Sequence, residues 1–137
     1  MLNRFWRSVW PPLLWTLTIF VLMILPGEDL PDDGIFGMPD FDKLVHFGFF
    51  FGFVWLWNNW NRGRYKTSTT SHTSLFVIFL LACAYGIGME YFQKHFTGRS
   101  FDIRDIYADS AGALAGWLFS FFGKKISPYR NRGRNQN

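Results

Sequence analysis

The chain has a single cysteine, Cys83, and carries no acidic residue over most of its length. One cysteine excludes an internal disulfide and a cysteine-based zinc finger. Charged residues are scarce at 18%, whereas 49% of the residues are hydrophobic and 21% are aromatic. This composition excludes a disordered chain, a coiled coil and collagen. With 137 residues, the chain has room for one domain and no second independent core.

Acidic residues are confined to two windows, Glu28–Asp42 and Glu90–Asp109, and long apolar runs lie between and beside them. Each run is apolar on nearly all sides, whereas a soluble core helix would keep a polar face. With flanking residues, each run reaches the roughly 20 residues that cross about 30 Å of hydrocarbon. The sequence therefore predicts an all-α polytopic membrane protein, a bundle of four transmembrane helices with spans at about 10–25, 44–61, 75–94 and 105–123.

The distribution of Lys and Arg predicts how this bundle is oriented. Ten of the 14 basic residues lie in residues 1–9, in the loop after the second span and in the tail 124–137. Positive residues mark the cytoplasmic side, so we expect an N-in/C-in protein with both acidic loops outside. The first run is followed by Pro-Gly-Glu-Asp and not by a small-x-small cleavage site, so we expect the first span to be retained.

The third span carries polar residues at its outer end. Glu90 falls just inside the outer membrane boundary, and Gln93 follows about one turn later. Gly86 and Ala82 lie one and two turns below Glu90 on the same side of the helix. A charged residue at this depth faces protein or water, because exposure to lipid is costly. We therefore expect this face, which is made of small residues leading to a carboxylate and an amide, to point into the bundle.

The fourth span repeats this arrangement. Asp105, Asp109, Gly112 and Gly116 are spaced by 4, 3 and 4 residues and so share one stripe of a helix. The Gly112-x-x-x-Gly116 pair predicts close backbone contact with a neighbouring helix. The two aspartates then lie directly above that contact.

The second span brings Asp42 and His46, one turn apart, to the same outer level. Three helices thus deliver ionisable groups to one depth of the membrane. We expect these side chains to converge in one outward-facing polar pocket. The candidate ligand-binding residues are Asp42, His46, Glu90, Gln93, Arg99, Asp102, Asp105 and Asp109, and the candidate packing residues are Gly86, Gly112 and Gly116.

The combination of these motifs resembles the VanZ-like family of bacterial integral membrane proteins, over residues from about 42 to 123. The family pattern is carried by Asp-Lys-x-x-His from Asp42, Glu-x-x-Gln from Glu90, Gly-Arg-x-x-Asp-x-x-Asp from Gly98, and the Gly112-x-x-x-Gly116 pair. This chain departs from the pattern at Asp109, where the family usually has asparagine. The departure adds one acid to the predicted cluster.

The resemblance implies a multi-pass protein of the bacterial cytoplasmic (inner) membrane with a role in the cell envelope. The family's namesake is associated with resistance to the glycopeptide teicoplanin, so the resemblance also implies glycopeptide tolerance. The expected partners are the lipid bilayer and a lipid-linked envelope intermediate, with a homodimer permitted by the glycine stripes. We expect no nucleic-acid partner, because no nucleic-acid-binding module accompanies the basic tail.

Our leading interpretation is a binding protein whose pocket holds a lipid-linked or cell-wall-related anionic group, contacted by Arg99 and His46. The alternative is a hydrolase or transferase for a lipid-linked substrate, with His46 or Glu90 as general base. In that alternative a divalent cation, with Asp42, His46 and Asp105 as candidate ligands, assists the reaction. The sequence itself requires no cofactor. A purely structural role for the polar cluster stays open, and a transporter ranks lower because we find no inverted repeat.

Overall fold

A computed structural model describes residues 8–25, 40–64, 71–98 and 100–123, and every regular element within these ranges is a helix. The predicted all-α, four-helix architecture is therefore confirmed for the described part of the chain. We number the helices α1 (Trp10–Ile24), α2 (Phe41–Arg64), α3 (His72–Phe96) and α4 (Ile103–Phe122).

Local sequence explains where the helices begin and end. The first turn of α1 holds two prolines, a position where the missing N–H has no helical partner to lose. Helix α3 is followed by Thr97 and then by Gly98, whose φ of 71° is the left-handed conformation that glycine adopts at helix ends. Helix α4 is preceded by its N-cap residue Asp102, whose side chain accepts the backbone N–H of Arg104.

The helices form a bundle in which α1 packs on α2 and α3, and α4 packs on the same two helices. The closest approach is between α4 and α2. A Cβ atom on Gly112 would overlap the Phe47 carbonyl, and one on Gly116 would lie 2.8 Å from the Phe51 carbonyl. The predicted close backbone contact through Gly112 and Gly116 is thus present, and it brings the first turns of α2 and α4 together.

One described helix, α3, is long and apolar enough to cross a membrane by its length and composition, and α1 is a shorter apolar helix of 15 residues. Much of the bundle surface is apolar nevertheless. Large hydrophobic side chains such as Leu44, Phe96 and Phe122 are more than half exposed. The described interior combines apolar side chains, among them Ile19, Phe50 and Ala113, with a set of polar residues near one end.

Candidate functional site

Polar and charged residues are buried together where α1 and α3 end and α2 and α4 begin. Five of the residues predicted to form the pocket are at most 4% exposed: His46, Glu90, Gln93, Asp105 and Asp109. The stripes inferred from spacing therefore do face the interior. We call the side chains of Lys43, His46, Glu90, Asp102, Asp105 and Asp109 the acidic cluster.

The most deeply buried contact in the acidic cluster joins α2 to α4. His46 Nδ1 lies 2.9 Å from Asp109 Oδ1, which is hydrogen-bond distance, and Asp105 Oδ2 lies 4.0 Å from the other ring nitrogen. Gly86 of α3 makes room for this pair, because a Cβ atom there would come within 2.7 Å of Asp109 Oδ2. A glycine on one helix, an aspartate on the second and a histidine on the third thus define one buried unit.

Glu90 ties α3 to the start of α4. Its Oε1 accepts the backbone N–H of Asp102 at 2.6 Å, while Asp102 Oδ1 accepts the N–H of Arg104 at 2.9 Å. Glu90 also lies within electrostatic range of Asp105, Asp109 and His46. Glu90 therefore connects α3 to the start of α4 and also belongs to the acidic cluster.

Among the described residues, Lys43 is the basic residue with the most contacts to acidic side chains. Its Nζ lies 3.0 Å from Asp42 Oδ2, 3.6 Å from Asp102 Oδ2, 3.6 Å from Asp105 Oδ1 and 3.7 Å from Asp40 Oδ1. The ammonium group thus bridges the first turn of α2 to the first turn of α4. Sequence reasoning did not choose Lys43 as a site residue, although it stands inside the Asp-Lys-x-x-His motif.

The ion pair between Lys43 and Asp42 shifts the pKa of both groups. Partial burial alone would raise the pKa of Asp42, but the hydrogen bond and positive charge of Lys43 lower it overall. Burial would lower the pKa of Lys43, yet the hydrogen bond to Asp42 and the charges of Asp105, Asp42 and Asp102 raise it overall. Both shifts favour the charged forms of the pair.

Gln93 has a different partner from the rest of the predicted pocket. Its side-chain amide donates to the backbone carbonyl of Met23 at 2.8 Å, near the end of α1. The amide therefore fastens α1 to α3 beside the acidic cluster.

Three carboxylate oxygens in the acidic cluster are buried and find no hydrogen-bond partner among the described residues. They are Glu90 Oε2, Asp105 Oδ1 and Asp109 Oδ2. Buried carboxylate oxygens are normally paired, because desolvating a negative charge without a partner costs several kcal/mol. These oxygens are consequently the positions where a proton, a cation or a ligand donor fits the site.

The structure thus brings together His46, Glu90, Asp102, Asp105 and Asp109 as predicted, whereas Asp42 lies on the exposed rim and bonds Lys43. The predicted contact of Arg99 lies outside the described residues. Among the described residues, no three His, Cys, Asp or Glu side chains are grouped so that they could hold a metal ion. The proposed metal set of Asp42, His46 and Asp105 gains no support from that geometry.

The fold and the site define a helical bundle whose buried ionisable residues gather at one end. A sequence model described as VanZ/LLP1 matches residues 3–124. The chain belongs to the VanZ-like family, which confirms the resemblance inferred from the motifs. No curated protein and no solved structure matches the chain.

Proposed function

We propose that this chain is a four-span protein of the bacterial cytoplasmic membrane, N-in and C-in, that binds the polar group of an envelope molecule at the outer end of its bundle. The apolar surface of the bundle and membership of the VanZ-like family support the membrane location. The excess of Lys and Arg in the N-terminal segment, the middle loop and the tail supports the orientation.

One observation carries the binding role: carboxylate oxygens of Glu90, Asp105 and Asp109 are buried at one end of the bundle without a hydrogen-bond partner among the described residues. A bundle held together only by packing would be more stable with apolar or fully paired groups at these positions. Retaining such oxygens is typical of sites shaped for a ligand. We infer that the ligand is a lipid-linked or cell-wall-related group, and glycopeptide tolerance would follow from its altered availability.

The chemistry of the described side chains refines the anionic ligand that the sequence predicts. Lys43 is already surrounded by carboxylates, so an anion would gain little from it. A head group that combines a phosphate with hydroxyl or amine donors suits the site better. Its donors would reach the unpaired oxygens, and Arg99, which the sequence predicts as an anion contact, is the candidate partner of its phosphate.

The test is native mass spectrometry of the protein released from lipid nanodiscs. Wild type should retain a lipid mass, and Glu90→Gln should retain at least tenfold less, the effect of about one charge-assisted hydrogen bond. Tyr91→Phe is the matched control, because Tyr91 is the next residue along α3 and is 54% exposed. Equal retention by all three proteins, or bare wild-type protein, would contradict the proposed binding role.

The contact between His46 and Asp109 favours one second function, an enzyme in which His46 is the general base. An aspartate that holds one ring nitrogen at 2.9 Å orients the imidazole and stabilises its protonated form, as acid–base catalysis needs. Here the substrate would be the same lipid-linked molecule. Turnover that is lost in His46→Gln while the lipid is still retained would establish this alternative in place of a binding protein.

The orientation is tested separately by cysteine labelling. Cys83 is the only native cysteine, so a Cys83→Ser background allows single cysteines to be placed in the loops and the tail. A membrane-impermeant thiol reagent added to intact cells should label a cysteine at Asp33 and leave one at Ser68 or Asn135 unlabelled. The opposite pattern would reverse the proposed orientation.

A further inference from the structure

We propose that the acidic cluster is a binding site for a primary ammonium group, so that the envelope molecule it recognises carries an amine. This proposal rests on the proposed binding function and names the chemistry of its ligand. Acidic side chains outnumber basic side chains in the acidic cluster. Glu90, Asp102, Asp105 and Asp109 converge with Asp42. Among the described residues, the basic side chains within 4.0 Å of these acids are those of Lys43 and His46, and His46 carries a charge only when it is protonated.

The acidic cluster also contains buried acceptors without a hydrogen bond among the described residues. Asp105 Oδ1 is buried, has no hydrogen-bond partner in the described ranges, and lies 3.6 Å from Lys43 Nζ, beyond hydrogen-bond distance. Glu90 is 1% exposed, and its Oε2 is equally unpartnered while its Oε1 is held by the backbone of Asp102. Glu90 Oε2 on α3 and Asp105 Oδ1 on α4 are therefore buried acceptors without a hydrogen bond among the described residues, and Asp105 Oδ1 has only the ion-pair contact with Lys43.

Lys43 shows which kind of group the acidic cluster accepts. Its ammonium lies 3.0–3.6 Å from the carboxylates of Asp42, Asp102 and Asp105. An ammonium group has three donors and no acceptor, so it suits a site that offers only acceptors. A ligand ammonium would donate hydrogen bonds to Glu90 Oε2 and Asp105 Oδ1, as the Lys43 ammonium does to Asp42 Oδ2.

Other cations fit less well. A divalent metal needs several oxygen ligands at 2.0–2.6 Å, and no described group of three suitable side chains is arranged that way. A quaternary ammonium has no N–H donors and is recognised by aromatic cages, whereas the acidic cluster is built from carboxylates. The carboxylate oxygens of the acidic cluster therefore favour an amine with N–H donors over a divalent metal or a quaternary ammonium.

The experiment compares three lipids with identical acyl chains, added one at a time to the purified full-length protein and measured by native mass spectrometry. The lipids are phosphatidylethanolamine, its trimethylated counterpart phosphatidylcholine, and phosphatidylglycerol. We expect retention of phosphatidylethanolamine to exceed that of each of the others at least tenfold, the loss expected for one charge-assisted hydrogen bond. This comparison uses wild type alone and so does not depend on a variant that folds.

Two variants then assign the selectivity to the site. Glu90→Gln and Asp105→Asn keep the shape of the side chains and remove their charge, so both should abolish the preference for phosphatidylethanolamine. Tyr107→Phe, on an exposed side of α4, should keep it. Soluble phosphoethanolamine forms the last arm. Its retention would identify a free amine as the source, and retention of the lipid alone would identify a membrane lipid, with the ammonium site supported in both cases.

The outcomes separate this proposal from the proposed function. If phosphatidylglycerol or phosphatidylcholine is retained as well as phosphatidylethanolamine, the ammonium site is overturned while the binding function stands. If wild type retains none of the lipids and no phosphoethanolamine, both are overturned. If Asp105→Asn and Glu90→Gln keep the full preference, the selectivity lies elsewhere in the molecule and the assignment to the acidic cluster is wrong.

Discussion

His46 and Asp109 stand 63 residues apart in the chain, yet a histidine nitrogen of α2 and a carboxylate oxygen of α4 lie 2.9 Å from each other. Both side chains are almost fully buried. The contact sits just above the place where Gly112 lets α4 approach the backbone of α2. Helix packing and polar pairing therefore depend on each other at this end of the bundle.

The first prediction concerns the acid that stands where the family usually has asparagine. Asp109→Asn keeps a side-chain oxygen that can accept from His46, so we expect the stability to change by less than about 1 kcal/mol. Asp109→Ala leaves a buried imidazole without this partner, which should cost about 1–3 kcal/mol. Denaturant unfolding in detergent measures both. Asparagine that destabilises the protein as much as alanine would show that the charge, and not the hydrogen bond, supports the fold.

Gly86 gives a second prediction, about the position of the Asp109 carboxylate. Gly86→Ala places a Cβ atom 2.7 Å from Asp109 Oδ2, so the carboxylate must move and its contact with His46 should weaken. The NMR chemical shifts of the His46 ring nitrogens should change accordingly. Gly88→Ala is the control on the same helix, because its Cβ would meet open space. Unchanged His46 signals in Gly86→Ala would mean that the carboxylate can shift without leaving the histidine.

Helical spacing was sufficient to predict much of this site. The stripe of Asp105, Asp109, Gly112 and Gly116 and the stripe that leads to Glu90 both follow from the 3.6-residue period, and both are buried in the structure. Period alone gives the side of a helix that faces inward. It does not give the rotation and height of one helix against another.

The helical period does not predict which side chains of different helices contact each other. Sequence spacing placed Asp42 and His46 one turn apart and made both candidate ligands of one cation. In the structure His46 contacts Asp109, and Asp42 contacts Lys43. Lys43 could not be singled out by spacing, because only the placement of α4 beside α2 surrounds it with acids. The motif that contains it was the available signal.

The third prediction tests the close approach of α2 and α4. Gly112→Ala introduces a Cβ atom that overlaps the Phe47 carbonyl, so the helices must separate, at a cost of about 1–3 kcal/mol or more. Gly48→Ala, at an exposed position of α2 with open space around it, should be neutral or stabilise by up to about 1 kcal/mol. Thermal unfolding of the two variants in the same detergent compares them directly. Equal melting temperatures would show that this contact does not determine the stability of the bundle.

The last prediction concerns Lys43 and the pH range over which it stabilises the fold. Its pKa in the folded protein is raised above the ordinary 10.5, so its contribution is complete below pH 10.5 and is lost as the pH rises through the folded value. The pKa of Asp42 is lowered below 3.8, so its contribution is present above pH 3.8 and is lost as the pH falls through its folded value.

Lys43→Met should therefore melt below wild type by a constant margin between roughly pH 5 and 9, and the margin should shrink at more alkaline pH as wild type loses the same charge. Lys94→Met is the matched control, since this lysine lies at the same end of the bundle with its Nζ over the ring of Phe101. The melting temperature of Lys94→Met should differ little from that of wild type at every pH. A Lys43→Met margin that persists unchanged beyond the folded pKa would mean that the lysine stabilises the bundle by the packing of its alkyl chain. A margin no larger than that of Lys94→Met would mean that the carboxylates around Lys43 are balanced without it.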